Sequence, residues 1–206
     1  MSKNLLIVFV KNLIPGTVKT RLAADIGIDG ALDVYQFLVE NTFEETKDVN
    51  ADKVVYYSEY VEIEDVFDTE KYKMLTQQGN DLGERMLNAF KKSFASGYEK
   101  VVIIGSDCFE LQTDHVEEAF DQLVNHEVVI GPAKDGGYYL LGMNSLHSEL
   151  FNDKTYSHEN VLPELLESVG SLNLSFFLLQ ELNDIDTLDD LKESDIDFEF
   201  VSEDDL

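Results

Sequence analysis

Three cations stand close together in Lys11-Asn12-Leu13-Ile14-Pro15-Gly16-Thr17-Val18-Lys19-Thr20-Arg21-Leu22, in a chain with only 15 Lys and Arg against 42 Asp and Glu. A phosphate chain suits such a loop, with Lys11 and Lys19 as point charges and Arg21 as a bidentate fork. Gly16 allows backbone geometry that turns main-chain N–H groups toward a ligand. The loop is not a Walker P-loop, because the Lys19-Thr20 pair lacks its preceding glycine and Gly16 is too close. The alternative is a solvated basic loop; its place directly after the first apolar run of so acidic a chain favours the phosphate reading. A second chemical group is Asp107, in Gly105-Ser106-Asp107-Cys108, just past the apolar run Val101–Ile104. Mg²⁺ takes one or two carboxylates plus substrate phosphates, so an acid in that place is a good ligand for Mg²⁺ or Mn²⁺. The competing reading has Asp107 capping the next helix, a task for which Gln112 or Thr113 is nearer. Asp184 and Asp186, in Asn183-Asp184-Ile185-Asp186-Thr187, offer a second metal carboxylate or an acidic helix cap.

Two more loops carry polar groups. In Asp135-Gly136-Gly137-Tyr138 the paired glycines allow close backbone approach on the acceptor side of a site, while Asp-Gly is also a strong hairpin signal. In Gln77-Gln78-Gly79-Asn80-Asp81-Leu82-Gly83-Glu84-Arg85-Met86 the amides of Gln77 and Gln78 and the N–H groups of Gly79 and Gly83 could read a nucleobase edge. Arg85 adds a cation there, with pairing to Glu84 or a neighbouring acid as the alternative. Cys108 reads as a small packing residue, having no histidine near it in sequence. His115, His126, His147 and His158 show no metal-ligand spacing and read as surface residues.

The elements that must hold these loops alternate in period. Leu5–Val10 and Val101–Ile104 are continuously apolar, as strands covered on both faces are. Lys53–Ser58, Tyr72–Thr76, Val128–Ile130, Tyr138–Leu141 and Leu174–Leu179 read as further strands. Ala31–Phe43, Leu82–Phe94, Val116–Val124 and Asn160–Val169 carry helical spacing, and Thr187–Leu191 reads as a short helix capped by Thr187. The alternation predicts one α/β domain over residues 1–206, a three-layer α/β/α sandwich around a mostly parallel sheet. Ligands in such sheets bind beyond the carboxyl ends of the strands, where the loops after Val10 and Ile104 and around Asp135 lie.

Bulk composition bounds the partners. A net charge of −27 repels nucleic-acid backbones and anionic membranes, and obliges any nucleotide to bind through a local basic cluster and a metal. The apolar run at the N-terminus is short and lacks a small-residue cleavage site, and no run approaches the roughly 20 residues of a membrane helix. With Cys108 the only cysteine, the expected setting is the cytoplasm. The acid after Asn183 reads as a solvated tail face.

These motifs, in this order, resemble the glycosyltransferase-A-like (GT-A) superfamily of nucleotide-diphospho-sugar transferases, and most closely a bacterial branch of uncharacterised glycosyltransferase-like members. The likeness is carried by Gly16–Ala23, Gln77–Met86, Gly105–Cys108, Asp135–Gly142 and Asp184–Leu191, nearly the whole chain. It extends more distantly to phospholactate and molybdenum-cofactor guanylyltransferases and to sugar-phosphate uridylyltransferases. The resemblance implies a triphosphate on Lys11, Lys19 and Arg21, base reading by Gln77, Gly79 and Gly83 with Gln78 beside them, and Mg²⁺ on Asp107. Two departures stand out: Phe109 where relatives have proline, and Thr155-Tyr156-Ser157-His158 where relatives carry a Trp-Ser/Thr segment. The expected activity is Mg²⁺-dependent nucleotidyl transfer from a nucleoside triphosphate to a small phosphate-bearing acceptor. Glycosyl transfer from a nucleotide sugar is the alternative, and a non-catalytic nucleotide-binding protein the third; a homodimer is compatible with all three.

Overall fold

Alternation along single strands decides which helix each residue meets. In the computed structural model, which describes residues 3–152, 154–156, 158–194 and 196, the first strand β1 (Asn4–Val10) runs through the centre of the sheet. Leu6, Val8 and Val10 point to one layer and Leu5, Ile7 and Phe9 to the other. Successive side chains leave a strand on opposite faces, so a run buried throughout needs a layer on each side. The chain continues through α1 (Thr20–Thr46), β2 (Asp52–Tyr57), β3 (Tyr72–Thr76), α2 (Leu82–Ala95), β4 (Lys100–Ile104) and α3 (Thr113–Gln122). The second half is β5 (Val128–Pro132), β6 (Tyr138–Met143), a 3-10 turn at Ser148–Phe151, α4 (Val161–Ser171), β7 (Phe176–Leu178) and α5 (Leu188–Glu193).

The seven strands lie in the order β3-β2-β1-β4-β6-β5-β7. Only β6 runs against its neighbours, pairing antiparallel with β4 and β5; the other pairs are parallel. This is the expected mostly parallel α/β/α sandwich. One consequence matters for the site: the β5–β6 hairpin turns back at the same sheet edge as the loops after β1 and β4. One side of the sheet packs Val116, Ala119 and Phe120 of α3 and Tyr35 and Val39 of α1; the other packs Met86 and Phe90 of α2 and Leu165 and Val169 of α4. A third cluster joins Leu22, Ala31, Val34 and Leu38 of α1 to Ile185 and Leu191, fixing the segment that carries Asp184 and Asp186 against α1.

Two elements differ from expectation. The helix expected over Ala31–Phe43 starts at Thr20 and is broken at Gly27 (φ 81°, ψ 166°), so that two helices abut. The break at Gly27 and a second glycine at Gly30 interrupt the apolar period ahead of Ala31, which is why sequence spacing hid the earlier start. The strand expected over Leu174–Leu179 is ordered as a strand only at Phe176–Leu178, an edge with Phe176 and Leu178 exposed. Thr187 caps α5 as expected, its hydroxyl accepting from Asp190 N while the Asp190 carboxylate accepts from Thr187 N. Among the described residues no helix is long and apolar enough to cross a membrane. Ser157 and the acidic stretch 197–206 lie outside the described residues.

Candidate active site

The loops at the carboxyl edge of the sheet surround a cleft of about 1350 Å³ lined by Lys11, Lys19, Arg21, Gln77, Arg85, Asp107, Asp135, Gly137, Asp184 and Asp186, among others. The cleft thus gathers residues from all five sequence motifs. Gly16, Gln78, Gly79, Gly83 and Gly136 do not line it.

Lys19 is the centre of the arrangement. The loop leading to it is anchored by buried Asn12, whose Oδ1 accepts from Glu59 N (3.0 Å) and Ser58 Oγ (3.3 Å) and whose Nδ2 donates to Tyr60 O (2.9 Å). Lys19 then takes a left-handed conformation (φ 46°, ψ 44°) immediately before α1. Its side chain is only 3% exposed, and Nζ lies 2.6 Å from Asp107 Oδ1 and 3.0 Å from Asp186 Oδ1. Burial opposes the ammonium's charge, but the two carboxylates outweigh it and hold Lys19 protonated well above the usual lysine range. Among the described residues no side chain caps α1, and its first turn contains no acid, so the positive end of the helix is not neutralised by a cap of its own. Lys11 and Arg21 are exposed on the cleft, and among the described residues neither makes an ion pair.

Asp107 is not a helix cap. Gln112 stands at the N-terminus of α3, where its N–H donates to His115 Nδ1 at 3.0 Å, leaving Asp107 free of that duty. The Asp107 carbonyl accepts from Ile185 N at 2.9 Å, which brings the flanking Asp184 and Asp186 alongside. For Asp186, burial pushes the carboxyl up, but Lys19, with Lys11 and Arg21, more than reverses this and holds it below the ordinary range. Asp184 goes the other way: burial, then the nearby Asp107, push its carboxyl up to about 8. Its Oδ1 is shielded from solvent and has no hydrogen-bond partner among the described residues. An uncompensated carboxylate oxygen beside a second carboxylate is a donor set suited to a hard divalent cation. Among the described residues no three acidic, His or Cys side chains form a ready-made metal cage. Mg²⁺ does not need one, since it completes its shell with water and substrate phosphates. Cys108 is buried in the core with its thiol pushed up by burial, consistent with packing rather than nucleophilic use.

The loop expected to read a base is largely occupied by the protein. Gln77 donates from Nε2 to Tyr56 O (3.0 Å) and Val10 O (3.2 Å) and accepts on Oε1 from Arg85 Nη1 (3.3 Å). Arg85 also donates from Nε to Gly79 O (3.2 Å), so it braces the loop instead of pairing with Glu84. Gln78 is exposed and donates to Thr76 Oγ1 (3.2 Å). Gly83 serves as a seat for an aromatic ring: a Cβ there would stand 2.6 Å from Tyr156 Cε2.

On the opposite wall, Gly136 has φ 87°, and a Cβ would fall 2.1 Å from the Glu159 carbonyl oxygen. Its missing side chain therefore admits the protein's own chain, not a ligand. Several site residues escaped the sequence reading. Tyr35 accepts from Lys11 N (2.7 Å) and shares a hydrogen bond with Ser106 Oγ (3.0 Å). Tyr138, whose hydroxyl donates to Met86 Sδ (3.7 Å), and Tyr156 line the cleft across from the cations. A tyrosine in a buried helical stripe needs a hydroxyl partner, and that was the available signal for Tyr35. Of the two departures noted in the sequence, Phe109 packs on Phe37 at 5.7 Å, and Tyr156 lines the cleft.

Solved structures define the class. A protein from Desulfovibrio desulfuricans G20, described as a "putative nucleotide-diphospho-sugar transferase", has a TM-score of 0.86 and 33% identity over 93% of this chain and 85% of that one. A cytidylyltransferase from Leptospira borgpetersenii serovar Hardjo-bovis (strain JB197) gives 0.56 and 19%, covering 93% of this chain and 84% of that one. CMP:2-keto-3-deoxy-manno-octonic acid synthetase complexed with CTP gives 0.57 and 11%, over 93% and 96%. The last two identities speak for the fold alone. A search of curated proteins finds no match. The chain is a member of the GT-A-like, nucleotide-diphospho-sugar transferase class. More narrowly, it matches the model for the family described as "Uncharacterized protein conserved in bacteria (DUF2064)" over residues 42–158, more than half its length, and it belongs to that family.

Proposed function

We propose that this chain is a nucleotidyltransferase that takes a nucleoside triphosphate on the loop after β1 and transfers its nucleotidyl group to a small acceptor. The carrying observation is the buried Lys19 ammonium between Asp107 and Asp186, beside the uncapped start of α1 and beside Lys11 and Arg21, which make no ion pair among the described residues. In so acidic a chain, this is a polyanion site with its own counterions. In the transfer, an acceptor oxygen bonds to the α-phosphorus while the α–β phosphoanhydride breaks and pyrophosphate leaves with the bonding electrons. The acceptor's proton, where it has one, passes to water. Lys19, Arg21 and the α1 N–H groups offset the charge that builds on the leaving pyrophosphate. Asp107 and Asp184 are the residues that would hold Mg²⁺ or Mn²⁺, which supplies Lewis-acid charge neutralisation when bound. No protein nucleophile is needed, in keeping with the inert burial of Cys108.

Glycosyl transfer from a nucleotide sugar is the second reading, favoured by the description of the 33%-identical protein. Thermal denaturation with each nucleoside triphosphate, diphosphate and nucleotide sugar, with and without Mg²⁺, separates the readings. A ligand at 100 times its dissociation constant stabilises by about 2.7 kcal/mol. Stabilisation by a triphosphate above its diphosphate and sugar forms, followed by pyrophosphate release with acceptor, supports nucleotidyl transfer. A larger shift with a nucleotide sugar transfers the assignment to glycosyl transfer. A nucleotide shift with no turnover of any donor leaves a binding protein.

A further inference from the structure

Acids line the cleft on both sides of the middle of the sheet, but its Lys and Arg side chains are confined to one. All 15 Lys and Arg of the chain fall within the described residues, and those lining the cleft are Lys11, Lys19, Arg21 and Arg85, from the loop after β1 and the starts of α1 and α2. The other wall, built by the β5–β6 hairpin and residues 156 and 158–161, contributes Asp135, Glu159, Tyr138, Tyr156, His158 and Asn160 and no Lys or Arg; the His158 ring is engaged locally, Nδ1 accepting from Asn160 N and Nε2 lying 2.9 Å from Thr155 Oγ1.

Most backbone donors of this wall are engaged within the chain and do not replace the missing cations. In the hairpin, Ala133 N donates to Gly137 O, Lys134 N to Leu182 O, Gly136 N to Ala133 O and Gly137 N to Asp135 Oδ1. At the start of α4, Val161 N donates to His158 O and Leu162 N to Gly136 O, and Pro163 has no N–H. At the start of α5, Asp186 N and Thr187 N both donate to Asp190 Oδ2. A phosphate or carboxylate on this wall would meet the Asp135 and Glu159 carboxylates and N–H groups most of which are bonded within the chain. Free acceptors and ring faces remain: the second oxygen of Asp135, the exposed Glu159 carboxylate and the Tyr138–Tyr156 pair. Carboxylates accept hydrogen bonds from hydroxyls, and aromatic faces pack against the C–H faces of sugars and polyols.

We infer that the acceptor is a neutral, hydroxyl-rich small molecule, a sugar or polyol bearing no phosphate or carboxylate, seated on the Asp135, Tyr138, Tyr156 and Glu159 wall. The inference rests on the reading of the other wall as the donor site, and it replaces the phosphate-bearing acceptor expected from sequence. The attacking atom is then a hydroxyl oxygen.

The test uses matched pairs: glycerol with glycerol 3-phosphate, and glucose with glucose 6-phosphate. Each is titrated by calorimetry and saturation-transfer NMR into the full chain, with and without the nucleotide that stabilises it. The neutral member should bind at least tenfold more tightly than its phosphorylated partner, about 1.4 kcal/mol. The exposed-acid variant Asp135→Asn/Glu159→Gln should narrow that gap while leaving the nucleotide shift unchanged. A phosphorylated member that binds as well as its neutral partner overturns the inference, as does failure of every neutral member at millimolar concentration. Absence of any nucleotide shift sinks the donor reading instead, and the titration without nucleotide still decides this one.

Discussion

The starts of α1 and α4 line the same cleft, yet one is open and the other is closed. At α1 no side chain caps the helix and Lys19 brings a buried ammonium to its foot. At α4 the first N–H groups are spent on His158 O and Gly136 O, and a proline removes the next. A helix N-terminus attracts anions only when its donors are free. The same element therefore presents an uncapped N-terminus on one side and a capped one on the other, and the difference lies in what acceptors the chain itself brings close.

The closed wall should break most severely at Gly136. Gly136→Ala puts a methyl into the Glu159 carbonyl at a left-handed φ, with an expected loss of about 2–5 kcal/mol by urea denaturation. A loss below about 0.5 kcal/mol would mean that the hairpin and the α4 start are not locked as described. The open wall is probed by Lys19→Met and Arg21→Ala, each weakening triphosphate binding by roughly 1.5–3 kcal/mol. The loss should be smaller for the monophosphate; equal calorimetric losses for both would remove these residues from the phosphate chain. Lys19→Met should also unfold more readily than Arg21→Ala, since it strands two carboxylates.

Between the walls, Asp184 gives a pH signature. Its folded-state pKa of about 8 lies above the ordinary carboxylate range, so from about pH 4 to pH 8 the folded state holds a proton that the unfolded state has released. Stability should fall as pH rises across that window, and Asp184→Asn should flatten the slope in denaturation curves. An unchanged slope would show that Asp184 is ionised at neutral pH in the folded protein. The smallest effects are expected in the loop after β3. Gln77→Ala, which strips two backbone carbonyls and Arg85 of a partner, should cost about 1–3 kcal/mol of stability. Gln78→Ala should change it by less than about 0.5 kcal/mol. Lost base discrimination in either variant, with stability intact, would restore a base-reading role.

Sequence pattern revealed the frame well because β1 and β4 are apolar throughout and the helices outside them keep their period. Lys19, Asp107, Asp184 and Asp186 were legible as a candidate site because each follows a strand or precedes a helix at one edge. The pairing of Lys19 with Asp107 and Asp186 was not, since it depends on contacts across 88 and 167 positions of chain. Nor was the work of the glycines. Gly83 and Gly136 are small for the sake of Tyr156 and Glu159, and a glycine in sequence does not say which neighbour needs the space.

The Tyr35 hydroxyl has a mechanical consequence. It bonds at once to Lys11 N in the first loop and to Ser106 Oγ beside Asp107, and it is carried by a helix that is itself packed into the sheet. Any swing of the first loop therefore pulls on the strand end that presents Asp107. Opening one without the other would require one of these two hydrogen bonds to part, so a single hydroxyl is the joint shared by both loops.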